Sequence, residues 1–489
     1  MFANRQVSPA TLALGWQLTS AEIFSQLQHL PWAMLLDSAN AKHIDARFDI
    51  ICFEPIATLQ QQADGCYLRE HISLLAVNSS QPNSKCNTPI SEPEFISQDP
   101  FAALKIVQAR FFQEAQPSHL PFSGGLMGTL SYDLGREVET IPCIAAADIH
   151  LPTMAIGVYP AALVFDNQHS SWSLVHAFGH DALQATLTWL QGRLASDCST
   201  NAPAAPFKLT APWAAQMTPS EYTAKFEQIQ AYLHSGDCYQ INLTQRFSAP
   251  YQGDEWSAYL RLRAANQAPF SAFIRLPEQA ILSISPERFI RLQHGLVETK
   301  PIKGTLPRHS DPLQDSANAT RLANSEKDRA ENLMIVDLLR NDIGKVASAG
   351  SVRVPKLFDI ESFPAVHHLV STVTGELAPN YQAADLLKAC FPGGSITGAP
   401  KIRAMAIIEQ LEPSRRSIYC GSIVYISQDN KMDSSICIRT LLAEDSQLYC
   451  WAGGGIVADS KAANEYQESF DKVSKILPLL GDMPKATPC

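Results

Sequence analysis

Paired cysteines are the first thing this sequence lacks. Its 11 cysteines stand singly along 489 residues, with no Cys-x-x-Cys and an odd total. That excludes a disulfide framework and a thiolate zinc site, and it points to reduced thiols in a cytoplasmic protein. Cys238, Cys390 and Cys437 fall in predicted elements, where cysteine serves as a small buried hydrophobe. A basic excess is missing as well: the formal charge is −10, and no run interleaves Lys and Arg with aromatics. A nucleic-acid partner is therefore not expected, because a phosphate backbone rewards a basic face. Long apolar runs are absent too. One of the most apolar stretches, residues 155–165, is broken by Pro160 and is too short to span a bilayer. Residues 1–10 lack the charged-then-apolar order of a secretory signal, so no membrane association is expected. No repeat at solenoid spacing is visible.

What is present is an ordinary soluble composition, 46% hydrophobic and 18% charged, long enough for two domains or one large core. Residues 197–216 are rich in Ala, Pro, Ser and Thr without a sustained period and read as a linker. They divide an N-terminal segment, 1–200, from a C-terminal one, 215–480. A helix is announced after the linker by Thr218 as N-cap, Pro219 at the first position and Glu221 completing a capping box. Tyr222, Phe226, Ile229 and Leu233 give it an apolar stripe, and Gly236 ends it. Residues 239–247 alternate, with Gln240, Asn242, Thr244 and Arg246 on a polar face. Further strands are predicted at 271–276, 280–285, 287–292, 295–302, 418–426, 434–442 and 447–452, and helices at 325–340, 401–411 and 460–477. Strands grouped between helices predict an α+β protein with large, mostly antiparallel sheets and helices packed outside.

Several residues could carry chemistry. At 100° per residue, Glu331 falls in the middle of a helix face made by Met334, Ile335, Leu338 and Leu339. A carboxylate so placed must be paired, protonated or metal-bound, and a buried salt bridge is the plainer reading. Glu468 points away from its helix's apolar face and has Lys472 four residues on, the pattern of an exposed ion pair. The stretch from Pro392 to Lys401 (PGGSITGAPK) could hold an anion on its amides, although it lacks the Lys-Ser/Thr ending of a phosphate loop. Gly453, Gly454 and Gly455 read either as a tight bend or as amides closing on a carboxylate, with Arg439, on a predicted strand, as the matching guanidinium. Glu287, at a junction of two strands, and Lys303 could serve as acid and nucleophile or form a surface pair.

Taken together these segments resemble the chorismate-utilising enzymes, which include anthranilate synthase large subunits, isochorismate synthases and salicylate synthases. The likeness is most specific in the runs from Ala330 to Asp342 (AENLMIVDLLRND) and Ala452 to Ser460 (AGGGIVADS). It extends to the first segment through 35–39 (LLDSA), 46–50 (ARFDI) and 124–128 (GGLMG). The resemblance implies an α/β sandwich like anthranilate synthase component I, and a set of roles. Glu331 and Glu468 would hold Mg²⁺, with Asp328 at a second acidic position. Tyr419, Arg439, Gly453 and Gly455 would grip the enolpyruvyl carboxylate. Glu287 would protonate the departing C4 hydroxyl, and Thr305, His368 and Ser395 would line the same pocket.

Two positions sort activities within that family. Isochorismate and salicylate synthases carry a water-activating Lys where Gln240 stands, so attack by water is not expected. Anthranilate synthases carry Ala where Lys303 stands. The resemblance thus implies that Lys303 attacks C2, after which ammonia adds at C4 and expels it, giving 4-amino-4-deoxychorismate for folate biosynthesis. At an ordinary pKa only about one lysine in a thousand or fewer is neutral at pH 7, so a partly desolvated site beside Mg²⁺ and near Lys300 is expected to lower it. No cysteine stands in a Gly-x-Cys-x-Gly elbow, so ammonia would come from a glutamine amidotransferase subunit in a heterodimer or from solution. Asp37 and Ser38, with Pro269 and Phe270, resemble the place where relatives bind tryptophan, Asp37 being its acidic residue. The rival readings are an anthranilate synthase, opposed by Lys303, an isochorismate synthase, opposed by Gln240, and a non-catalytic anion-binding protein using residues 392–401.

Overall fold

The computed structural model describes residues 8–72, 88–89, 91–113, 115–195, 206–362 and 366–484. Among them two sheets of 13 strands each form the frame, and the named strand pairs are antiparallel. Alternation explains why both faces of a sheet are buried. In the strand Phe270–Arg275, Ala272 and Ile274 enter the core that links the two sheets, while Phe273 turns to the core beneath the outer helices. The helices Pro219–His234, Glu255–Asn266, Lys401–Leu411 and Ala462–Asp471 cover that outer face of the first sheet. Pro100–Phe111, Glu326–Gly344 and Ala383–Cys390 pack with the second.

The two sequence segments share both sheets. In the first, Met34–Asp37 pairs directly with Phe270–Arg275, from Ser271↔Asp37 to Ile274↔Met34. In the second, Gly125–Leu130 pairs with Ser422–Ser427. Part of the linker reading, 197–205, lies outside the described residues, and the rest is corrected. Phe207 and Trp213 are buried, and Lys208–Leu209 and Ala214–Ala215 pair with the long strand Gln240–Gln252. Two buried aromatics anchor this stretch, so its Ala-Pro composition does not leave it loose.

The α+β expectation is met, and the helix after the linker forms with the full capping box on Thr218 and Glu221. Three element readings change. The strand at 295–302 is two, Leu296–Thr299 and Ile302–Pro307, because Pro301 lacks the donor a continuous ladder needs. The strand at 434–442 is also two, Met432–Ile436 in the second sheet and Thr440–Glu444 in the first. The glycines 453–455 make no bend and lie inside the strand Gln447–Ile456. Cys238, Cys390 and Cys437 are buried free thiols, as expected. Among the described residues no helix is long and apolar enough to cross a membrane.

Candidate active site

The chain crosses between the sheets several times, and the site grows from a seam where two of these crossings lie side by side. Gln279–Ser285 in the first sheet passes through Pro286 and Glu287 into Arg288–Gln293 in the second. Met432–Ile436 returns through residues 437–439 to Thr440–Glu444. The crossings are hydrogen-bonded to each other. Ser285 Oγ donates to the Ile436 carbonyl at 2.6 Å, the Ile436 N–H to Glu287 O at 3.1 Å, and the Ile284 N–H to Arg439 O at 3.0 Å. Arg439 therefore does not sit on a strand as expected. It turns the chain at φ +50°, a left-handed conformation unusual for a long side chain, and its guanidinium has no hydrogen-bond or ion-pair partner among the described residues.

Glu287 and Lys303 are joined through one residue. Ser395, in a short turn at Gly394–Ile396, donates its hydroxyl to Glu287 Oε1 at 3.1 Å and accepts from Lys303 Nζ on its carbonyl at 3.3 Å. Glu287 is 8% exposed, and burial pushes its carboxyl up to about 7, against the pull of Lys303 and the Ser395 hydroxyl. Burial also lowers Lys303 below its ordinary value, with Glu331 and Glu287 opposing. The cation expected beside it is not Lys300, which pairs with Glu361 at 2.7 Å. Lys472 takes that place electrostatically. It donates to the Gly453 carbonyl at 2.8 Å and pairs with Glu468 at 2.7 Å.

The acids gather on the other side of Lys303. Glu331 is half-buried on the flank of its helix's buried stripe, whose centre is Asn332, Ile335, Val336, Leu339 and Ile343, so the expected mid-face placement is corrected. Among the described residues no guanidinium pairs with it. Its nearest cation is Lys327 at 4.0 Å, and burial, with repulsion from Asp328 and Glu468, raises its carboxyl. Asp328 approaches the strand where Gly304, at φ +72°, leaves room, since a Cβ there would stand 2.9 Å from Oδ1. Glu465, which sequence reasoning missed, is buried. Its Oε1 accepts from Ser460 Oγ at 2.7 Å, and its Oε2 has no partner among the described residues. Gly454 makes this possible: a Cβ on it would lie 2.8 Å from Glu468 Oε1 and 3.2 Å from Glu465 Oε2. The signal was available, because Glu465 and Glu468 stand three apart on one helical face above a run of glycines. An all-oxygen set with an orphaned buried carboxylate oxygen suits a hard divalent cation. The one group of three or more metal-capable side chains within 4.8 Å among the described residues lies elsewhere, at His150, Glu444 and Asp445.

The remaining expected residues fall as follows. Thr305 and His368 sit opposite each other on paired strands and share a hydrogen bond of 2.8 Å. Burial, with Arg439 adding, lowers the His368 imidazole to about 4, so it is neutral at pH 7. Tyr419 is buried, its ring stacked on Trp451 at 6.1 Å. Gly453 and Gly455 pair with Thr244 and Asn242 on the strand that starts at Gln240. At the end of the 392–401 stretch, Lys401 is spent on Asp342, Nζ to Oδ2 at 2.5 Å, and on the Cys390 carbonyl at 3.2 Å.

A separate cavity of about 300 Å³ lies under the first crossing, lined by Asp37, Asp45, Pro269, Phe270, Arg288 and Asp433 among others. Three of the four expected residues line it, but not Ser38, whose hydroxyl and N–H both go to Asp49. Asp37 cannot be its free acid, being held by Arg263 at 3.0 Å and Tyr259 at 2.8 Å. Asp45 and Asp433 carry the charge there, both on Arg288, at 2.7 and 2.9 Å.

The model of the chorismate binding enzyme family matches residues 35–478. The chain is 55% identical over 473 residues to aminodeoxychorismate synthase component 1 of Klebsiella aerogenes, covering 96% of this chain and 99% of that one. It is 52% identical over 480 residues to the protein of the same name in Escherichia coli K12, covering 97% and 99%. Among solved structures it matches anthranilate synthase component I of Streptococcus pneumoniae with a TM-score of 0.74 at 31% identity, over 95% of this chain and 99% of that one.

Proposed function

Because this chain belongs to the family of chorismate-binding enzymes, we propose that it aminates chorismate at C4 with ammonia, giving 4-amino-4-deoxychorismate for 4-aminobenzoate and folate synthesis. Relatives that share more than half its residues over nearly full length carry the name of that activity. The observation that selects it within the family is the chain Lys303–Ser395–Glu287. It places a depressed amine beside a carboxyl raised to about 7, so a nucleophile and an acid are both ready near neutral pH.

Neutral Lys303 bonds to C2, the ring double bonds shift, and the C4 hydroxyl leaves as water with the Glu287 proton. Ammonia then bonds to C4, the double bonds return, and Lys303 departs as the free amine. The new C4 ammonium gives a proton back to the Glu287 carboxylate. Arg439, whose guanidinium is unspent, holds a substrate carboxylate with the Gly453 and Gly455 backbone and Tyr419 beside it. Thr305 and neutral His368 offer hydrogen bonds without adding charge. Glu331 and Glu468, with Glu465 and Asp328 behind them, would hold Mg²⁺, which supplies positive charge to a carboxylate of the substrate. Ammonia comes from glutamine through a partner amidotransferase subunit, as the relatives' designation as component 1 supports. The unpaired thiols support a cytoplasmic setting. Tryptophan fits the 300 Å³ cavity, its indole beside Phe270 and its charged groups toward Arg288, Asp45 and Asp433.

The test is product identity. Purified protein with chorismate, Mg²⁺ and an ammonium salt is expected to yield 4-amino-4-deoxychorismate with the pyruvyl group retained. Anthranilate plus pyruvate as the main product would overturn the proposal, and no turnover would favour an anion-binding role.

A further inference from the structure

A polar pocket of about 50 Å³ is lined by none of the residues assigned to the reaction. Ser131, Asp133 and Asp148 of the first segment face it, together with Arg415 and Ser417 of the second. Two of these groups are left without partners. Ser417 is 7% exposed, and its hydroxyl is buried and unpaired among the described residues. Its N–H goes to Asp133 Oδ2 at 2.9 Å, and its carbonyl accepts from Ser131 Oγ at 2.7 Å and the Tyr132 N–H at 2.8 Å. The hydroxyl is therefore what Ser417 has left to offer the pocket, from a left-handed turn at φ +50°. The Nε–H of Arg415 is likewise buried with no acceptor among the described residues. Donors stripped of water and left unpaired are costly, and a native site keeps them when something else fills it.

The acids of the pocket are already met. Asp148 accepts from both terminal nitrogens of Arg246, at 2.8 and 2.6 Å. Asp133 accepts from Arg136 Nε at 3.3 Å besides the Ser417 N–H, and it feels the charge of Arg415 without a hydrogen bond. Arg415 Nη2 donates instead to the Cys143 sulfur at 2.7 Å, a weak acceptor. A guanidinium does not lose its proton, so titration cannot remove the unmet donor. What remains is two donors, one of them on a cation. Water could accept both hydrogen bonds but would leave the charge unmet, whereas an anion answers both. A space of this size takes a few waters or one small ion and excludes an organic cofactor.

We propose that this pocket binds a small monovalent anion of halide size, held by the Arg415 Nε–H and the Ser417 hydroxyl. The seat is independent of which product the active site makes. Two carboxylates beside it repel a divalent anion more strongly than a monovalent one, so sulfate is a poor occupant. The ion's place gives it a structural consequence. Ser417 follows Arg416, whose Nη1 and Nη2 hold the Ile396 and Asn242 carbonyls at 2.9 and 2.7 Å, and it precedes Tyr419 by two residues. Ser131 and Asp133 belong to the turn at Tyr132–Glu137 and its cap. An anion on Arg415 and Ser417 thus fastens the first segment to the stretch that delivers Tyr419, and its binding adds to folded stability by mass action.

The test uses the full chain in sodium gluconate, whose anion is too large for the pocket, with sodium chloride titrated in at constant ionic strength. The melting temperature is expected to rise saturably by about 3 °C. Bromide should follow chloride, and sulfate should give no saturating rise. Ser417→Ala keeps the backbone and removes the hydroxyl, while Arg415→Lys keeps the charge and removes the Nε–H. Each should raise the half-saturating chloride concentration about tenfold. A crystal of the wild-type protein soaked in bromide should show an anomalous peak between Arg415 Nε and Ser417 Oγ, a reading that needs neither variant to fold. Equal melting in chloride and gluconate, an unaltered chloride dependence in both variants, or a pocket that holds water alone in bromide would overturn the proposal.

Discussion

Glu287 and Arg288 are adjacent in sequence and open onto two differently built regions. Arg288 faces the 300 Å³ cavity, where its charge is met by Asp45 at 2.7 Å, Asp433 at 2.9 Å and Glu298 at 3.6 Å, with Phe270 under the guanidinium at 5.0 Å. Although burial opposes it, this pairing holds Arg288 above its ordinary pKa, and the same contacts keep Asp45 below its own. Glu287 faces the seam, where burial exceeds compensation and its carboxyl rises to about 7. Lys303 and Glu331 are displaced toward neutrality in the same way. Pairing each charge fixes a shape. Leaving charges partly unmet keeps protons movable, which is what acid and nucleophilic catalysis require.

Lys303 gives the largest way to break that contrast. Lys303→Ala should lower C4 amination on the order of 10³-fold and abolish the covalent adduct with chorismate, read by product chromatography and intact mass. An undiminished rate would leave the seam with no nucleophile and the contrast with no chemical meaning.

Glu287→Gln comes next, with a rate loss on the order of 10²-fold and two further signatures. The productive form needs Glu287 protonated and Lys303 neutral. In the wild type kcat/KM should rise with pH and then level near 7, because the loss of Glu287's proton cancels the gain in neutral lysine. In the variant the residual rate should keep rising past 7. Stability should move the opposite way to activity. The folded pKa lies above the ordinary carboxyl value of 4.5, so this group's contribution to stability is full below pH 4.5 and is lost as pH rises through about 7. Glutamine escapes that loss, and at pH 8 the variant should be more stable by about 1–3 kcal/mol in urea titration. Equal stability at pH 8 would show that Glu287 is as well met as Arg288.

Much of this seam was legible in the residues, and some of it was not. Periodicity and caps located the helices that carry Glu331 and Glu468, and the exposed pairing of Glu468 with Lys472 followed from spacing alone. Glu331's position was off by part of a turn, because the stripe's centre is set by what packs against the helix. The crossing at residues 437–439 was read as continuous strand, since an apolar run does not reveal which of two sheets each half joins. The roles of Ser395 and Glu465 were hidden for a simpler reason. Ser395 acts through a contact across about 100 residues that has no local period, while Glu465 shows only its three-residue spacing from Glu468 until Gly454 is seen beneath it.

Arg288→Met sharpens the paired side. It leaves Asp45 and Asp433 with no guanidinium, and it should cost about 3 kcal/mol of stability by denaturant titration. The folded fraction should keep near wild-type kcat, since the cavity's charges serve structure and no reacting atom. Neighbouring substitutions would then differ in kind: Glu287→Gln costs rate and adds stability, while Arg288→Met costs stability and spares rate.

Ser395→Ala is the smallest and the most discriminating. The hydroxyl donates to Glu287 Oε1 and so favours its charged form. Removing it should raise the carboxyl further and move the levelling point of the pH profile above 7. The rate should fall only a few-fold, because the carbonyl that holds Lys303 belongs to the backbone and stays. If Ser395 were merely packed there, kcat would drop with the pH profile unmoved. A shifted profile with a modest rate loss would mean that one hydroxyl sets how far the acid stands from its ordinary value, and that the seam's charges are left unmet by a measured amount.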